Sequence, residues 1–160
     1  MKKILFAIAT AALLFSAGSV QAKTRKATFQ KQAIECLGVE GDGSQTVRVT
    51  GTGKNKADAV EQAMKDAVMA VIFDGIRGGM QGCDSRPLIS EMNAHDKYED
   101  YFNIFFMDKG EYSKYVTTED RRIFSDSRAR NKYFKNIRVT VRVYRSELKA
   151  RLKADGVIKK

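Results

Sequence analysis

The sequence predicts an α+β fold: a mostly antiparallel sheet with one face packed by a long Ala-rich helix and a second helix, closed by a short C-terminal helix. Three observations predict it. Apolar and polar side chains alternate near both ends of the chain, at 45–50 and 133–144. Between them, residues 57–76 carry apolar side chains at helical spacing. Strands grouped around helices in this order suit a sheet covered on one face, and a sheet with one wet face alternates cleanly.

Residues 1–22 read as a signal peptide outside the fold. Met1-Lys2-Lys3 gives a positive start, 4–17 is almost wholly apolar, and Ser19-Val20-Gln21-Ala22 offers small residues for a cut after Ala22. The apolar run is shorter than the roughly 20 residues a membrane span needs. No cysteine follows the cut, so a lipid anchor there is not expected. No later stretch is apolar enough for a transmembrane segment. The expected destination is the periplasm or the exterior. Residues 23–31 read as a flexible basic arm and 32–160 as a single domain.

The 160 residues carry a formal net charge of +10, of which Lys2 and Lys3 supply two. In an exported protein such charge points to an acidic protein, an anionic polymer or lipid headgroups, or serves solubility alone. Cys36 and Cys83 would both survive cleavage. An exported compartment permits a disulfide between them, and two thiols are equally open on spacing alone.

The elements follow in order. Residues 33–39 read as a short strand, Glu40-Gly41-Asp42-Gly43 as a turn, and 45–50 as a half-buried strand, the two strands forming a hairpin. Gly51-Thr52-Gly53-Lys54 leads out, as a turn or as a loop whose N–H groups meet an anion. Asn55 is the N-cap of the long helix, with Asp58 in its first turn. Alanines at 59, 63, 67 and 70 keep one side narrow for close packing. A second helical region is expected at 87–107, broken near Asn93. Strands are expected at 112–117, at 121–125 before a turn at 125–128, and at 133–144. A helix over 145–154 stops at Asp155-Gly156.

The glycine-rich stretch 73–87 invites a phosphate-loop reading. It follows a helix, whose end presents carbonyl oxygens and negative partial charge, so its polarity is wrong for an anion. It is expected to connect two helices, with Gly75 or Gly78 ending the first, and Asp84 or Ser85 capping the next before Pro87. His95 is the lone histidine, near Glu91, Asp96, Glu99 and Asp100. That group reads as a solvated acidic helix face; no second histidine or zinc-spaced cysteine accompanies it. The aromatics at 98, 101, 102, 105, 106, 112 and 115 read as core, with a partner surface as the other reading.

If the strands at 47–50 and 137–143 share a sheet, Arg48, Arg138 and Arg142 lie on its open face with Thr50 and Thr140 between them. This is the candidate binding site, against an ordinary solvated face. No catalytic residue, metal or cofactor is called for.

The segment 47–53, the Ala-rich helix ending in a Gly-rich turn, the strand 137–143 and Leu148-Lys149-Ala150-Arg151-Leu152 resemble the amino-terminal module of flagellar assembly protein T and related small envelope lipoproteins. The resemblance covers both ends of the mature chain and not roughly 80–130. It implies a non-enzymatic part of an envelope assembly, with an envelope protein as partner. Direct binding of an anionic polymer or lipid headgroups is the alternative. A hydrolase using carboxylates or His95 is the second.

Overall fold

The computed structural model describes residues 34–80, 82–119, 124–125 and 135–158. The leader and basic arm expected at 1–31, most of the strand expected at 121–125 and most of the turn expected at 125–128 lie outside them.

The sheet is built from β1 (Glu35–Val39), β2 (Gln45–Gly53), β3 (Gly78–Gly79), β4 (Val116–Thr118), β5 (Phe124–Ser125) and β6 (Lys135–Val143). The strand order is β3-β1-β2-β6-β4, with β5 also paired to β6. The α+β class holds. The sheet is mixed rather than wholly antiparallel, because β3 runs parallel to β1. The chain returning from the long helix comes back beside β1, and the Cys36–Cys83 disulfide ties it there with a Cα–Cα distance of 5.9 Å.

The β1–β2 hairpin forms as expected. Ser44 N–H donates to Asp42 Oδ1 in its turn, at 2.8 Å, and Gly43 takes a positive φ of 80°. β2 and β6 pair antiparallel from Gln45↔Val143 to Gly53↔Lys135. Their inward side chains, Val47 and Val49 with Ile137, Val139, Val141 and Val143, are buried. β-branched residues pack well at period two, so these strands form the floor of the core.

α1 (Lys56–Met69) crosses that floor. Asn55 Oδ1 accepts from Asp58 N–H at 3.0 Å, the predicted N-cap. Ala59, Ala63, Ala67 and Ala70 are buried, as their spacing predicts. Here the sequence reading of Gly51-Thr52-Gly53 needs correction. These residues are neither a turn nor an anion loop; they continue β2 beneath α1. A Cβ on Gly53 would stand 2.4 Å from Ala59 N, so the absent side chains set the depth at which the helix packs.

A π-helical turn, Ala70–Asp74, extends α1 to Gly75, whose φ is 72°. The helix-to-helix connector is a second correction. Gly78 and Gly79 form β3, and no helix begins at Pro87. The helices are α2 (Ala94–Lys97) and α3 (Glu99–Phe105), separated from the connector by Asn93 at φ 63°. The cause lies at the end of the π-helical turn. Leu88 and Ile89 N–H groups donate to Val71 and Ile72 carbonyls at 3.0 and 2.9 Å. Those carbonyls sit at a helix end and need donors, and an extended segment supplies them. Asp84 caps no helix. It accepts from Arg86 N–H at 2.9 Å and pairs with Arg145 at 2.8 Å, joining the connector to the start of the last helix. The Arg86 hydrogen bond, then Arg145, hold its carboxyl below the usual carboxylate range despite some opposing burial.

The strand expected at 112–117 is a 3-10 helix, Glu111–Tyr115, followed by β4. The tight turn sends Tyr112 inward, where its hydroxyl donates to Glu61 Oε1 at 2.9 Å. Phe102, Phe105, Phe106 and Tyr112 are buried in a ring-on-ring layer, so the core reading of the aromatics stands for these four. α4 (Arg145–Ala154) has the predicted bounds. It buries Leu148 and Leu152 and ends before Gly156 at φ 74°.

Candidate functional site

Because successive side chains of a strand point to opposite faces, burying the Val and Ile row fixes the outer row. Thr46, Arg48, Thr50 and Thr52 stand on the outer face of β2. Asn136, Arg138, Thr140 and Arg142 stand on that of β6. The register sets Thr46 opposite Arg142, Arg48 opposite Thr140, Thr50 opposite Arg138 and Thr52 opposite Asn136. Arginine never faces arginine. Like charges directly opposite would repel, and the alternation avoids that. Thr52 Oγ1 and Asn136 Oδ1 close one end of the row at 2.8 Å.

The structure thus brings together the three arginines singled out from sequence. It also adds carboxylates that sequence reasoning missed. Glu35 on β1 stands opposite Arg48 and meets it at 3.5 Å. Arg142 lies between Glu40, at 3.5 Å, and Glu119, at 3.3 Å. Glu40 opens the hairpin turn and Glu119 follows β4 at the other side of β6. Glu35 was within reach of the hairpin register. Glu119 was not, because the neighbour of β6 is a matter of topology.

The face is therefore mixed in charge. Planar guanidinium donors, threonine hydroxyls and carboxylate acceptors alternate over two strands. Such a surface can hold a partner by hydrogen bonds and paired charges.

The other candidates lie elsewhere. His95 is exposed, 3.8 Å from Asp96, with its ring beside Phe73. Among the described residues, no three His, Cys, Asp or Glu side chains converge as a metal ion would need. No described helix is long and apolar enough to cross a membrane.

Fold and face define a small α+β protein with a helical layer on one side of its sheet and a mixed Arg/Thr/Glu surface on the other. Compared with protein-family models, curated proteins and solved structures, the chain matches none.

Proposed function

We propose that the chain is an exported, non-enzymatic protein-interaction module of the periplasm, and that an envelope protein docks on the sheet face around Arg48, Arg138 and Arg142. The observation that carries this is the nine-residue pairing of β2 with β6, which lays Arg48 of β2 and Arg138 and Arg142 of β6 on one surface. The carboxylates beside Arg48 and Arg142 favour a protein partner over a polyanion. A polyanion would meet Glu35, Glu40 and Glu119 along with the arginines, and like charges brought together across an interface are penalised.

Two further observations support the reading. A disulfide fits an oxidising compartment, the one toward which the leader points. The likeness to the flagellar assembly module is to non-enzymatic parts of envelope assemblies.

The test is a pull-down from envelope extract with the wild-type chain and with Arg48→Ala/Arg138→Ala/Arg142→Ala, over a salt series. A protein captured by the first and lost with the second is the expected result. Full capture by the triple variant overturns the proposal. Binding of polymer or lipid headgroups that weakens steeply with salt would favour the anionic-ligand alternative.

A further inference from the structure

The helical layer carries an open groove of about 600 Å³, away from the arginine face. Its floor comes from α1. Ala57, Val60 and Met64 line it, at helical positions i, i+3 and i+7, which fall on one stripe. Ala59 and Ala63, on the neighbouring stripe, are buried beneath the helix. The groove stripe continues through Val68 and Val71, which are fully buried. At the helix start the same stripe is left partly uncovered, against Tyr112 of the 3-10 helix.

The charges around this floor are unequal. Glu61 is the one carboxylate among the residues lining the groove, and its Oε1 takes three contacts. It accepts from Lys109 N–H at 3.0 Å and from the Tyr112 hydroxyl at 2.9 Å, and Lys65 Nζ stands 3.7 Å away. Lys56 and Lys109 also line the groove, and neither is ion-paired to another described residue. Lys109 sits at φ 57°, in the left-handed region that glycine occupies without steric cost. Its own N–H is held by Glu61, and the next N–H, of Gly110, by the Met107 carbonyl at 2.7 Å, so the turn fixes where the Lys109 side chain starts.

We propose that this groove binds a free fatty-acid-type carboxylate, with its chain along Ala57, Val60 and Met64 against Tyr112 and its headgroup held by Lys56 and Lys109. The size fits: small-ligand sites run to roughly 300–1,000 Å³ and are mostly apolar with a few polar groups. The stripe from Ala57 to Met64 is about 10 Å long at 1.5 Å per residue. A protein partner would bury about 800 Å² on each side, more than three side chains and one ring supply. Lys56 and Lys109 supply the charge complement of a carboxylate, and Lys65 stands between the carboxylates of Glu61 and Asp108.

The test uses dodecanoate as probe, below its micelle concentration, titrated into the full mature chain by calorimetry with methyl NMR of Val60 and Met64. Dodecyl maltoside, with the same chain and a neutral head, is the control. Saturable one-to-one binding of dodecanoate is expected, with shifts confined to the groove. Lys56→Gln/Lys109→Gln should weaken it by about tenfold or more, the loss of roughly 1.4 kcal/mol or above. The same variant should leave any maltoside binding unchanged. Lys109→Gly guards against a folding artefact, because glycine suits that backbone; it should keep the fold and still bind dodecanoate more weakly. Non-saturating uptake, equal affinity for the neutral head, or lysine variants that bind as well as wild type would each overturn the proposal. So would a peptide from the same compartment that competes for the groove while dodecanoate does not bind.

Discussion

Gly51 lies directly under the backbone of Ala59: a Cβ built on Gly51 would stand 1.9 Å from the Ala59 carbonyl oxygen. No rotamer relieves such a contact, because both partners are main chain. α1 must lift, and lifting it opens the packing of its buried alanines on β2. Gly51→Ala should therefore cost about 3 kcal/mol or more, in the range of overpacked cores. Gly41→Ala, where nothing lies within 4 Å, should stay within about 0.5 kcal/mol of wild type. Urea unfolding midpoints of the two variants decide it; equal midpoints would mean that α1 does not rest on β2 this closely.

The Cys36–Cys83 bond closes a sequence separation of 47 residues. Chain entropy assigns such a closure about 4 kcal/mol. Cys36→Ser/Cys83→Ser, or reduction, should lower unfolding stability by about 2–4 kcal/mol. A thiol assay on the native protein should find no reactive cysteine; two would contradict the bond.

Asp66 is 2% exposed on α1 and accepts from Gln62 Nε2 at 2.7 Å. Burial pushes its carboxyl from 3.8 up to about 6, against the opposing pull of Gln62 and Lys65. The sign follows from linkage. The folded state holds the proton more tightly than the unfolded state, so the stabilisation is complete below about pH 4 and is lost as pH rises through about 6. Asp66→Asn should make the protein more stable than wild type at pH 7.5, by about 1–3 kcal/mol, with the gain shrinking toward pH 4. Thermal melts across that window would show it. A gain independent of pH would remove Asp66 titration as the cause.

The Tyr112 hydroxyl is held protonated, first by burial and then by the Glu61 carboxylate beside it. The pair joins the 3-10 helix to α1. Tyr112→Phe leaves the ring in the aromatic layer and removes the donor. It should cost about 1–3 kcal/mol, the range for a hydrogen bond to a charged group. Chemical denaturation measures this, and an unchanged midpoint would show that Glu61 is satisfied without Tyr112.

Elements that bury one face by simple periodicity were legible before any coordinates. α1 with its Asn55 cap, β2, β6 and α4 follow from local spacing. The arginine row of the candidate site was legible for the same reason: alternation that buries Val139 and Val141 must expose Arg138, Thr140 and Arg142. Residues 87–93 and 112–115 were not legible, because their conformations answer to partners distant in sequence. Leu88 and Ile89 satisfy the carbonyls of Val71 and Ile72, and Tyr112 turns inward to Glu61.

The sequence by itself determined the α+β class, the core face of each long element and the residues left outside it, since periods of 2 and 3.6 are properties of the backbone. Only the tertiary structure decided that Gly51 and Gly53 are seats for a helix, that β3 pairs parallel to β1, and that Cys36 meets Cys83. It alone placed Glu35, Glu40 and Glu119 among the arginines, turning an expected basic face into a mixed one. Those outcomes depend on which segments lie side by side, and adjacency is fixed by packing and hydrogen-bond satisfaction across the whole chain.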